Sequence, residues 1–120
     1  MLPVERDKLL EFFGDQEHWC QNAEARDAGG EAVCYSDDAA VAWDLTGGMC
    51  LLFGWRRACA LFQQVERHIL GRRGRQVARS PEIEAMAALQ DYNDRADTTH
   101  EMVVGQLRTM PVWKGKPAPT

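Results

Sequence analysis

No apolar run in this sequence reaches the roughly 20 residues of a membrane-spanning helix. The longest candidate, residues 39–55, is interrupted by Asp44 and by Gly47-Gly48. The start of the chain lacks a basic stretch followed by an apolar one, so no secretory signal is read and a cytoplasmic setting is expected. The four cysteines lie 14, 16 and 9 residues apart, whereas structural zinc sites pair ligands about two to four residues apart. His18 and Cys20 are close in sequence, but His68 and His100 have no such neighbour. No metal and no cofactor is therefore expected, and the thiols read as reduced. Cys50 and Cys59 fall in apolar helical stretches and read as small core residues. The chain has no internal repeat and no low-complexity tract.

What the sequence does have is an uneven distribution of charge. Residues 56–79 hold seven arginines and one acid, Glu66, a net of +6. Residues 1–55 hold 11 acids and 3 bases, a net of −8, and residues 80–120 hold 6 acids and 4 bases, a net of −2. The whole chain of 120 residues carries −4. A polarised field of this kind acts on partners. The length fits one domain with one core.

Pattern and capping signals point to helices. Pro3 suits the first turn of a helix to Phe13, stopped by Gly14. Asp15 reads as the cap of a short helix over 16–26, ended by Gly29-Gly30. Ser36, followed by Asp37 and Asp38, reads as the cap of a long apolar helix to Phe53, the expected centre of a bundle. Its Gly47-Gly48 step implies close approach of a neighbouring helix or a break. Ala58, Leu61, Phe62, Val65 and Ile69 form one stripe of a 3.6-residue period. Ser80-Pro81-Glu82 starts a helix to about Tyr92, with Ile83, Met86, Ala87 and Leu89 or Gln90 inward. Thr98 with Glu101 matches a capping box for the last helix, whose inward side is Met102, Val103, Leu107 and Met110. The expected fold is thus all-α. It is a compact single domain over 1–113, with five or six helices around the apolar helix at about 37–53, and a flexible tail over 114–120.

Three stretches also resemble a known family. They are His18 to Asp27 (HWCQNAEARD), Ala39 to Gly47 (AAVAWDLTG), and Tyr92-Asn93-Asp94 followed by Thr98-Thr99-His100-Glu101. Their order and spacing are similar to those of a family of small uncharacterised bacterial and phage proteins, over most of residues 17–108. The chain departs from that pattern at Gly47-Gly48, where Gly-Ala is usual, and at Asp44, where cysteine is common. The resemblance implies no activity.

Three functional readings follow. Arg67, Arg72, Arg73, Arg75 and Arg79 are the candidate contacts for an acidic protein partner. On that reading the chain is a non-enzymatic interaction module, an accessory or inhibitor protein of phage or mobile-element type. The plainer alternative is that helix-end arginines complement the helix dipole or the acidic first half. The second reading is nucleic-acid binding through the basic 71–79 loop, although no aromatic residues interleave with its arginines. The third is an enzyme built on Cys20 and His100. Trp19, Cys20, Asn93, Asp94 and His100 could then share a polar pocket; the plainer reading makes them helix-end devices around a turn. His18 cannot serve Cys20 from the same helix, because residues two apart face different ways. No membrane partner is expected. Trp55, Trp113 and Phe13 near helix ends leave the oligomeric state open.

Overall fold

Five α-helices and a three-stranded sheet make up the described residues, 1–71 and 80–113, of this computed structural model. The all-α expectation is corrected to a mixed α/β domain. The expected tail at 114–120 and the stretch 72–79 lie outside the described residues.

Helix α1 spans Pro3–Gly14. The expected helix over 16–26 is instead a single 3₁₀ turn, Gln16–His18, followed by irregular chain and strand β1, Ala25–Asp27. Asn22 breaks the helix, with φ of 65°, in the left-handed region that asparagine tolerates. Strand β2 is Ala32–Val33 and β3 is Ala40–Trp43, in the order β2-β1-β3, both pairings antiparallel. Asp27 closes the β1–β2 turn by accepting from the N–H groups of Gly29 and Glu31, both at 2.9 Å.

The expected helix over 36–53 is shortened to α2, Leu45–Phe53, capped by Asp44 rather than Ser36. The acids after Ser36 form a turn: Asp37 Oδ1 accepts from Ala39 N at 2.8 Å, and the Asp37 carbonyl accepts from Ala40 N at 3.0 Å. Aspartate serves such turns as readily as helix caps. Helix α3, Trp55–Leu70, carries the expected stripe, with Ala58, Leu61, Phe62 and Val65 fully buried. Helix α4, Pro81–Asp94, starts at the expected Ser80 cap. Its inward face is Ala85, Ala88, Leu89, Tyr92 and Asn93, and Ile83 is exposed. Helix α5, His100–Arg108, is capped by Thr99 and leaves Met102 outside. Helix α2 packs against α1, α3 and α4, and α1 packs against α5. The core joins Phe13, Leu45, Met49, Phe62, Leu89 and Leu107, among others. Among the described residues, no helix is long and apolar enough to cross a membrane.

Candidate functional site: a polar clasp and an adjoining cavity

The motif residues converge on Asn93, in the last turn of α4 and fully buried. Its Oδ1 accepts from Trp19 Nε1 at 2.7 Å and from the Leu45 amide at 3.1 Å. Its Nδ2 donates to the Cys20 carbonyl and to Asp94 Oδ1, each at 3.0 Å. A carboxamide has two donors and two acceptor sites, and all four are used. Asp94 Oδ1 also accepts from Asn22 N at 2.8 Å, which holds the left-handed turn in place. Gln21 Nε2 lies within donor range of the carbonyls of Asn93, Arg95 and Thr98, at 2.9, 2.9 and 3.2 Å. Gln21 thus ties the end of α4 to the turn that follows it, where the Arg95 carbonyl also accepts from the Thr98 amide at 3.1 Å. Arg26 reaches back to the Gln21 carbonyl, and Thr98 Oγ1 donates to the Tyr92 carbonyl at 2.7 Å.

Trp19, Cys20, Asn93 and Asp94 are therefore brought together, as a clasp filled by its own hydrogen bonds. His100 flanks it, its ring centroid 6.2 Å from that of Trp19. Its Nε2 donates to the Phe13 carbonyl, and His18 Nδ1 donates to the Phe12 carbonyl at 2.8 Å. Both imidazoles thus cap the end of α1, and neither is hydrogen-bonded to the Cys20 sulfur. Burial pushes the Cys20 thiol up to about 11, and the Asp44 and Asp94 carboxylates add to that. A thiolate nucleophile needs the opposite shift.

Sequence reasoning missed Asp44, which it placed inside a helix. Its carboxyl is 2 % exposed and caps α2, with Oδ1 accepting from Gly47 N at 2.6 Å and Thr46 Oγ1 at 3.1 Å. The available signal was an aspartate directly before an apolar run. Burial pushes its pKa from 3.8 up to about 7; the Gly47 and Thr46 hydrogen bonds oppose the rise, and Asp94 and Glu24 reinforce it. The folded state thus binds a proton between about pH 4 and 7 that the unfolded chain has released, so this group's contribution to stability falls across that window. At about 1.4 kcal/mol per pH unit, the loss is on the order of 4 kcal/mol. Asp44→Asn keeps the cap and removes the titration. Its urea-unfolding free energy should vary less with pH than the wild type's between about pH 4 and 7. Two curves of the same shape would refute the assignment.

Beside the Asp44 cap lies a cavity of about 120 Å³ that the sequence did not reveal. Tyr35, Trp55, Met86, Glu24 and Gln90 line it, with the first turns of α2 as its floor.

The arginine-rich face divides. Arg57 is bound by Glu5 through two hydrogen bonds, at 2.6 and 2.7 Å. The guanidinium holds the Glu5 carboxyl below its ordinary value, and Glu5 in turn raises Arg57. Arg56 and Arg67 are exposed and have no carboxylate at ion-pair distance among the described residues. Arg72, Arg73, Arg75 and Arg79 lie outside the described residues.

A small α/β domain whose Trp-Cys-Gln and Asn-Asp motifs tie α4 to α2 and the sheet is what these observations define. The chain belongs to a family of unknown function (DUF6197), whose profile matches residues 11–110. No curated protein and no solved structure matches it.

Proposed function

We propose that this chain is a non-enzymatic interaction module that docks an acidic protein surface through its arginine-rich stretch, residues 56–79. The observation that carries the reading is that Arg56 and Arg67 stand exposed and unpaired among the described residues, on a chain of net charge −4. The motif side chains of Trp19, Gln21, Asn93 and Asp94 support it from the other side, because they are occupied within the clasp. An accessory or inhibitory role in phage or mobile elements, and a cytoplasmic setting, belong to the same proposal. The genes beside this one would test that setting.

Alanine at Arg56 and Arg67, and separately at Arg72, Arg73 and Arg75, should change stability by no more than about 0.5 kcal/mol. Cross-linked capture of the partner from the native host should drop in both variants. Capture that is indifferent to both sets would end this reading. Nucleic-acid binding through the basic stretch at residues 71–79 is the competing outcome. It requires a gel shift at low salt whose affinity falls steeply as salt rises.

A further inference from the structure

The cavity beside the Asp44 cap has a composition that specifies a ligand. Two aromatic side chains, Tyr35 and Trp55, stand on its wall together with the Met86 thioether. Trp55 is 44 % exposed, so its ring is accessible from solvent. Glu24 supplies a carboxylate whose Oε2 accepts from the Tyr35 amide at 2.8 Å. Oε1 has no protein partner among the described residues. Thr46 and Gln90 add polar atoms, and no lysine, arginine or histidine lines the space. Its volume of about 120 Å³ exceeds what a single water needs.

Each feature selects against other ligands. An anion would meet Glu24 with no cation to offset it. A bare metal ion needs several converging ligands, and no group of three His, Cys, Asp or Glu side chains suited to a metal occurs among the described residues. A neutral apolar ligand would desolvate the carboxylate without compensation. A cation with an apolar skin satisfies the aromatic faces, the thioether and the carboxylate together.

We propose that this cavity binds an alkylated ammonium group, the trimethylammonium head shared by choline and by trimethylated lysine. The positive charge lies against the Trp55 and Tyr35 rings, and Glu24 balances it. Gly47 lets the floor pack directly on the backbone of Glu24, since a β-carbon there would fall 2.2 Å from the Glu24 carbonyl oxygen. None of the arginines of residues 56–79 is among the residues lining this cavity, so the two proposals are tested by different substitutions.

The test is a titration of the full-length ¹⁵N-labelled chain with tetramethylammonium chloride, with sodium chloride at matched ionic strength as control. Choline and a trimethyl-lysine peptide form parallel arms. Saturable shifts are expected at the Trp55 indole N–H and the Tyr35 and Gly47 amides, in the millimolar range. Glu24→Gln should weaken binding roughly fivefold, and Trp55→Leu should abolish it. Tighter binding of the peptide than of choline identifies a protein side chain as the source; equal binding identifies the free small cation. Spectra that follow only the sodium chloride control overturn the proposal, and so does undiminished binding by a folded Glu24→Gln variant.

Discussion

Asn93→Ala should unfold at a temperature lower than the wild type by on the order of 15 °C. The truncation removes four hydrogen bonds at once. Three of the groups left behind are the Trp19 indole N–H, the Leu45 amide and the Cys20 carbonyl. A buried polar group without a partner costs about 1–3 kcal/mol. Partial solvation of Trp19 and Cys20 lowers the total to about 3–5 kcal/mol, which is a large share of the 5–15 kcal/mol of a typical domain. Asn93→Asp gives the sharper test, because it keeps the shape and changes only the donor. Its second oxygen would face the Cys20 carbonyl and Asp94 Oδ1, both acceptors, in place of an N–H. It should therefore be at least as destabilising as Asn93→Ala near pH 7. An Asn93→Asp variant as stable as the wild type would show that the amide does not bridge these groups.

The clasp also explains which parts of this fold the sequence could disclose. Helix α3 was legible because its stripe is long and regular, and packing agrees with the pattern. The start of α4 was legible because Ser80 and Pro81 act locally: Ser80 Oγ accepts from the Ile83 amide at 3.4 Å. Its inward face was legible in part: Leu89 is buried and Met86 packs against the core, but Ile83 and Ala87 are exposed while the smaller Ala85 and Ala88 are buried. Helix α4 packs against both α2 and α3, and small side chains on a buried face allow such close approach. The sheet was illegible because its strands have three, two and four residues, too short for alternation to appear. The segment Ala40–Trp43 (AVAW) is apolar at every position and satisfies a helical pattern equally well. Asn93-Asp94 reads from sequence as the terminator of α4, which instead runs through both residues to a C-cap at Arg95. The contact of Asn93 with Leu45, 48 residues away, has no local signature.

Gly47→Ala should destabilise the chain, although helix propensity alone predicts the reverse. Alanine gains about 1 kcal/mol over glycine inside an exposed helix. Here Gly47 is buried in the first turn of α2, against the residue that leads into β1. The added β-carbon would lie 2.2 Å from the Glu24 carbonyl oxygen and 3.0 Å from Asp44 Oδ1. That carbonyl accepts from the Asp44 amide at 3.1 Å, so backing away weakens the junction between the strand and the α2 cap. Overpacking of a well-packed site typically costs about 1–3 kcal/mol, occasionally more, and a backbone obstacle belongs at the upper end. The net expectation is a loss of about 2 kcal/mol or more. Gly48→Ala supplies the contrast. Its β-carbon would meet Phe13 Cζ at 2.3 Å, the far end of a side chain that can swing aside where a backbone carbonyl cannot. Its penalty should be the smaller of the two in urea unfolding. A Gly47→Ala variant more stable than the wild type would mean that α2 does not rest on the Glu24 backbone, and the cap, the clasp and the cavity floor would all need a different geometry.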